Sequence, residues 1–337
     1  MTVVSQLTER ELVARIQQRL APAPAWLLVG IGDDAAVVEP ERNRVEVLTV
    51  DAVVEGVHFD RAFTPPDAIG HRALAVNLSD LAAMGAAPRL ALLSMALPPS
   101  LPLDDYDGIA DGIARLAAAH RVHVVGGNLT RSPGPLAIDV TVVGTVKRRQ
   151  ALRRSGARAG DDVYVSGTLG AAAAGLALLK QSAGPASAPP ADRESALVDR
   201  YLRPQPRVRL GLMLARNRAA SACVDLSDGL ADGLHRIAEA SGVGLTIDAD
   251  ALPIDPSARA LFDARGDDPV RAAICGGDDY ELLFTARPRT RRRLTAAERH
   301  GGAPLTRIGT CTADRAVVVQ RGGAATAVPE GYSHFAP

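Results

Sequence analysis

Acidic residues close short apolar runs at five places in this chain: Gly30-Ile-Gly-Asp-Asp34, Leu48-Thr-Val-Asp51, Leu78-Ser-Asp80, Cys223-Val-Asp-Leu-Ser-Asp228 and Gly276-Gly-Asp-Asp-Tyr-Glu281. The Leu-Ser-Asp of 78–80 returns at 226–228. A single Ser-Asp of this kind is ordinarily a helix cap, accepting orphan N–H groups. Five acidic ends in one chain suggest a hard cation instead, because Mg2+ takes oxygen ligands from a few carboxylates together with substrate phosphates. The glycines of 30–34 lack the G-x-G-x-x-G spacing of a dinucleotide site, and two acids repel a pyrophosphate unless a cation intervenes.

Lysine usage narrows the chemistry. Only Lys147 and Lys180 are lysines among the 38 basic residues, and neither follows a glycine-rich loop. A Walker phosphate loop is therefore excluded, and the protein-kinase set of strand lysine, His-Arg-Asp and Asp-Phe-Gly is absent. Any phosphate bound here must be neutralised by metal ions and arginines. These residues describe a multi-Mg2+ phosphate enzyme, in which positioning and charge neutralisation do most of the catalytic work.

The elements that must hold these acids form two domains, the soft expectation for 337 residues. Thr8 and Glu11 make a capping box for a helix over 8–20. Short strands are expected at 26–29, 35–38 and 45–50, with a helix running from Pro65 and Pro66 toward Asn77. Strands at 90–97 and 137–146 flank a helix over 104–120, and a strand over 122–125 ends in Gly126-Gly127-Asn128. The basic stretch 148–160 marks a boundary between domains 1–150 and 151–337. Beyond it, Gly167-Thr-Leu-Gly170 precedes an alanine-rich helix. That turn either offers backbone N–H groups to a phosphate or is only a tight strand-to-helix connection. Residues 181–193 read as a surface loop, and the aromatic Gly331-Tyr-Ser-His-Phe335 as an anchor or a lid. Strands and helices mix without strict alternation, which favours two α+β domains over one doubly wound sheet.

Composition sets further bounds. The chain is 47% hydrophobic and 23% charged with zero formal net charge, so nothing favours nucleic acid or a membrane surface as partner. No apolar run reaches the roughly 20 residues of a membrane span, and the N-terminus has neither the basic nor the apolar region of a signal peptide. Cys223, Cys275 and Cys311 are far apart and read as reduced thiols of a cytoplasmic protein.

Taken in order, Gly-Ile-Gly-Asp-Asp-Ala-Ala, Thr-Val-Asp-x6-His-Phe, Ala-Val-Asn-Leu-Ser-Asp-Leu-Ala-Ala-Met-Gly-Ala-x-Pro, Asp-Leu-Ser-Asp-Gly-Leu, Gly-Gly-Asp-Asp-Tyr-Glu-Leu and Gly-Tyr-x-His-Phe resemble the thiamine-monophosphate kinases. That family belongs to the aminoimidazole ribonucleotide synthetase superfamily. The resemblance runs from about Gly30 to Phe335. It implies a mixed-sheet α+β N-terminal domain that pairs with its twin in a homodimer, and an α/β C-terminal domain. It also implies direct transfer of the γ-phosphoryl of ATP to thiamine monophosphate, assisted by Mg2+. By the same resemblance Asp34, Thr49, Val50, Asp51, Asp80, Asp225 and Asp228 match metal-binding positions, Val50 through its carbonyl alone. Gly127, Arg154 and Ser227 match nucleotide contacts, and His58, Asp278 and Tyr332 match substrate contacts. Asn128 stands where many members carry an aspartate ligand, so its amide oxygen would ligate without charge. No covalent nucleophile is expected. Selenophosphate synthetases of the superfamily need a reactive Cys near the N-terminus, and the first here is Cys223. A purine-pathway or hydrogenase-maturation relative, or a non-enzymatic nucleotide-binding regulator, are the alternative readings.

Overall fold

Thr8 opens the first helix as its capping box requires. Its Oγ1 accepts the Glu11 N–H, and the Glu11 carboxylate accepts the Thr8 N–H at 2.7 Å. The structure, a computed structural model, describes residues 2–182, 192–329 and 331. Both Tyr332 and most of the expected 181–193 loop lie outside the described residues. The chain divides into two units: Met1–Leu78 with Ala87–Arg148, and Ser79–Ala86 with Arg149–Pro337.

The first unit carries α1 (Glu9–Gln17), β1 (Leu27–Val29), β2 (Val37–Val38), β3 (Val45–Val54), the start of α2 (Pro66–Ala83), β4 (Ala87–Leu97), α3 (Leu103–His120), β5 (His123–Arg131) and β6 (Ala137–Val146). β1 and β2 pair as a small ribbon. The main sheet has the order β3-β6-β4-β5, with β4 and β5 parallel and the other pairs antiparallel. Two glycines let α2 and α3 approach closely, since a Cβ on Gly70 would lie 2.0 Å from the Ile109 carbonyl oxygen and one on Gly112 would lie 2.0 Å from that of Asp67. One face of the sheet is buried through Leu93, Met95, Ile138, Val140 and Val142. The opposite face shows Leu48, Val50 and Leu92 at 66%, 58% and 40% exposure.

Several boundaries differ from the sequence expectation, among them these three. α2 does not stop near Asn77; it continues to Ala83, and Gly85 at φ +64° ends it. Ser79 and Asp80 are therefore interior helical residues and not caps. β5 does not end at Val125, because β4 supplies partners as far as Arg131, placing Gly126, Gly127 and Asn128 within the strand. Pro88, just before the strand expected over 90–97, lies inside β4. The register slips between Pro88 and Leu90, and β5 pairs with β4 only from Leu90 onward, so the missing proline N–H is tolerated.

The second unit carries β7 (Asp162–Ser166), α4 (Ala171–Ser182), α5 (Asp192–Leu202), α6 (Val208–Asn217), β8 (Ala222–Asp225), α7 (Leu230–Ser241), β9 (Gly244–Asp248), α8 (Pro256–Arg265), α9 (Pro269–Cys275), β10 (Leu282–Ala286), α10 (Arg291–Gly301), β11 (Leu305–Thr312), β12 (Val317–Arg321) and β13 (Ala324–Ala327). Its seven strands run β13-β12-β9-β11-β7-β10-β8, and only β9 and β12 are parallel neighbours. Fully buried Val163, Val165, Leu234, Ile237, Leu245, Ile247, Leu283 and Ile308 form its core. α4 meets α5 at Gly175, where a Cβ would lie 2.1 Å from the Leu197 carbonyl oxygen. α8 and α9 were not expected from the apolar pattern. Each starts with an aspartate cap followed by proline, Asp255-Pro256 and Asp268-Pro269.

Candidate active site

In the second unit two acidic turns are joined by main-chain hydrogen bonds. β8 ends at Asp225, opposite Leu282 of β10. Beyond the strands the Leu226 N–H donates to the Glu281 carbonyl, the Asp278 N–H to the Ser227 carbonyl and the Tyr280 N–H to the Leu226 carbonyl, at 2.8, 2.8 and 2.9 Å. Asp278 and Tyr280 both hold the left-handed region, with φ +67° and +50°. Non-glycine residues rarely hold it without a surrounding structure that enforces it. Ser227 and Asp278, matched to nucleotide and substrate respectively, are thus brought together.

Asp225 is buried, and the fully buried Ser79 hydroxyl donates to its carboxylate at 2.7 Å. That bond ties the Leu-Ser-Asp of α2 to its repeat at 226–228 and brings Asp80 into the same unit as Asp225 and Asp228. The sequence reading did not single out Arg236, nearly two turns into α7, which bonds both Asp232 and Asp228. Burial opposes its charge, but its bond to Asp232 and the fields of Asp232, Asp228 and Asp225 raise its pKa. An i,i+4 Asp-Arg pair directly after Asp-Leu-Ser-Asp-Gly was the signal available for it.

Behind these turns lies Glu281, with no exposure. It is paired with Arg200 at 3.0 Å and with Arg207, and accepts the Ser166 hydroxyl at 2.6 Å. Next to it, buried Asp279 accepts the N–H groups of Gly170 and Ala172 at the start of α4. The Gly167–Gly170 turn is therefore filled by the protein's own carboxylates. A Cβ on Gly167 would lie 2.1 Å from Glu281 Oε1. Of its two readings, the tight connection holds and the phosphate cradle does not. Arg154 is exposed, and its carbonyl accepts the Ser241 hydroxyl.

In the first unit Asp34 is exposed in the turn after β1, its N–H donating to Asp33 Oδ1 at 2.9 Å. Thr49, Val50 and Asp51 are consecutive on edge strand β3, so Thr49 and Asp51 share one face and Val50 the other. His58 Nδ1 accepts the Val54 N–H at 3.1 Å, which leaves the proton of the neutral ring on Nε2. Gly127 stands in register with Leu93, Val140 and Asp51, and its missing side chain leaves room where a Cβ would lie 1.9 Å from the Leu93 carbonyl oxygen. Asn128 lies one residue further along edge strand β5, in register with Ser94, Asp139 and Ala52. Asn128 and Asp51 thus occupy opposite faces, at opposite edges, about 14 Å apart by strand spacing. Within one unit they do not meet. Asn77 was also not singled out. It is fully buried, its Nδ2 donates to the Ala73 carbonyl, and its Oδ1 has no partner among the described residues.

The donors at the predicted metal positions are all oxygen. Among the described residues no three His, Cys, Asp or Glu side chains form a group able to hold a metal alone. Such a set fits Mg2+, which takes one or two carboxylates and completes its shell with water and substrate phosphate.

The model of the AIR synthase related protein N-terminal domain matches residues 32–146, and that of the C-terminal domain matches 158–322. The thiamine-monophosphate kinase of Escherichia coli K12 is 39% identical over 332 residues, 97% of this chain and 98% of its own. The chain belongs to the thiamine-monophosphate kinase family. It is a kinase with a mixed-sheet, two-domain AIR synthase-like fold. The crystal structure of the thiamine-monophosphate kinase from Stenotrophomonas maltophilia K279a has a TM-score of 0.83 and 44% identity, covering 95% of this chain and 98% of that one. A solved complex described as AaThiL with AMPPCP and TMP has a TM-score of 0.78 and 33% identity, with 99% of each chain covered.

Asp279 yields a test of this geometry. Burial pushes its carboxyl up to about 7, and Glu281 adds to the shift, while the Gly170 and Ala172 N–H groups and Arg200 oppose it. A raised acid binds more protons in the folded state, so stability falls as pH rises toward the folded pKa. Asp279→Asn, neutral throughout, gains on the wild type as pH rises from about 4 to 7, in denaturant midpoints. The opposite trend would show that Asp279 is an ionised anchor.

Proposed function

We propose that this enzyme transfers the γ-phosphoryl of ATP directly to thiamine monophosphate, giving thiamine diphosphate, with Mg2+ at its acidic turns. The observation that carries this reading is the stitched pair of turns, which places Ser227 beside Asp278 and links Asp225 to the helix bearing Asp80. The AMPPCP and TMP of the related complex represent the same two substrates. When bound, Mg2+ would neutralise the phosphate oxygens and align them for in-line attack.

The chain's own residues divide the remaining work. Asp80, Asp225 and Asp228 in the second unit, and Asp34, Thr49, Asp51 and the Val50 carbonyl in the first, are the proposed metal ligands. Arg236 already balances part of the charge at 225–232. Gly127, Arg154 and Ser227 receive the nucleotide. His58 and Asp278 contact the substrate, and Tyr332 supplies an aromatic face for a thiamine ring. Asn128 lies off the Thr49–Asp51 face, so as a ligand it serves a different shell. The reading assigns no His, Cys or Ser the part of a covalent nucleophile. The three free cysteines fit a cytoplasmic enzyme, and burial raises the thiol pKa of Cys311 to about 12.

The exposed apolar sheet face supports a homodimer formed through the first unit. Leu48, Val50 and Leu92 lie on it together, and an apolar face on an open sheet is normally covered.

Two outcomes follow. In a coupled assay, ADP release requires both Mg2+ and thiamine monophosphate, and Asp80→Asn lowers turnover by about 100-fold or more with its circular dichroism unchanged. Release that ignores thiamine monophosphate, or an Asp80→Asn enzyme near wild-type rate, would rule the assignment out. In sedimentation velocity the wild type runs as a dimer and Leu48→Asp as a folded monomer. A monomeric wild type, or an unaffected variant, would remove the sheet face as the interface.

A further inference from the structure

At the end of the second sheet away from Asp225, a cavity of about 700 Å³ is lined by Arg158, Arg218, Arg287, Arg289 and Arg293. Ser221, on its wall, precedes Asp225 by four residues, about 13 Å along strand β8. Arg287 follows β10 at the end opposite Leu282, the residue paired with Asp225. The cavity and the acidic turns therefore occupy opposite ends of the same strands.

Unlike those of Arg15, Arg200, Arg207, Arg236 and Arg307, none of the five guanidinium groups has a carboxylate partner among the described residues. Arg293 donates only to the Arg218 carbonyl. Asp161, the carboxylate bonded to cavity residues, is buried and receives the Ser221 hydroxyl and the Arg158 main-chain N–H at 2.7 and 3.1 Å. The cavity hydroxyls are also committed: Ser241 accepts the Gly156 and Ala157 N–H groups, and Thr290 donates to the Arg287 carbonyl. The guanidinium groups are thus the groups left to receive a ligand. α10 begins at the rim, and its start has no side-chain cap and no acid in its first turn, which is Arg291, Arg292 and Arg293. Cations there oppose the helix dipole, and an anion relieves both repulsions.

We infer that this cavity binds a small anion of the diphosphate class, separately from the acidic turns. Forked guanidinium donors match phosphate oxygens two at a time, and five of them exceed what a single carboxylate can use. No Phe, Tyr or Trp lines the cavity, so it lacks the stacking platform of a single-stranded nucleic-acid site.

Calorimetric titration of the full chain in EDTA tests this, because Mg2+-dependent binding at the acids is then silent. Inorganic diphosphate binds saturably with a Kd below about 1 mM. Arg289→Gln with Arg293→Gln weakens it at least about tenfold, and Arg289→Glu with Arg293→Glu abolishes it. Thermal midpoints and turnover at saturating substrates stay at wild-type values. ADP binding as tightly as inorganic diphosphate means the diphosphate alone is read. Tighter binding of ADP means a nucleotide is the natural source. No saturable binding of either anion, unchanged affinity in both folded variants, or binding confined to an oligonucleotide would overturn the inference.

Discussion

The second unit depends on a buried carboxylate that cannot go unneutralised. Glu281 has no contact with solvent, and an unpaired charge there would cost several kcal/mol. Arg200 of α5 and Arg207 at the start of α6 supply the compensating charge, while the Ser166 hydroxyl and the close approach of Gly167 bring in the end of β7. One side chain therefore fixes two helices and the end of β7. Its main-chain carbonyl also receives the Leu226 N–H, so the same residue holds the Asp225–Asp228 turn in place. The acids proposed as metal ligands are thus held in place by a different, buried acid.

A second constraint is the balance of charge where phosphate chemistry is proposed. With two lysines in the chain, the usual flexible ammonium is unavailable, and arginine takes its structural roles. Arg236 bridges Asp228 and Asp232, so the protein itself balances part of this site's negative charge. Such a site suits cations that arrive with a polyphosphate better than cations held permanently. The five cavity arginines are the converse, positive charge without protein counter-charge.

Much of this was legible in residue type and little of it in boundaries. The acidic turns stand out because several carboxylates at strand ends have few explanations, and the Thr8–Glu11 box is a local signal read locally. α2 ran past its expected end because Ser79 finds its partner 146 residues away at Asp225, a contact that no window of sequence contains. β5 ran through Gly126-Gly127 because a paired neighbour overrides weak strand propensity, and Gly127 is required by the nearness of Leu93, not by a turn. The opposite faces of Asp51 and Asn128 follow from register, which their motifs do not encode. Arg200 and Arg207 look like any surface arginines until Glu281 is seen between them. The starts of α8 and α9 were written plainly in Asp255-Pro256 and Asp268-Pro269, and apolar periodicity alone passed over them.

The central claim is that these acids position a direct transfer, with no group of the protein ever bonded to phosphorus. The stereochemical course tests it most directly. ATP made chiral at the γ-phosphorus with three oxygen isotopes is turned over, and the configuration of the transferred phosphoryl in thiamine diphosphate is read by phosphorus NMR. A single in-line displacement gives inversion, the result this account predicts. Retention would require two displacements through a phosphorylated protein group and would contradict it.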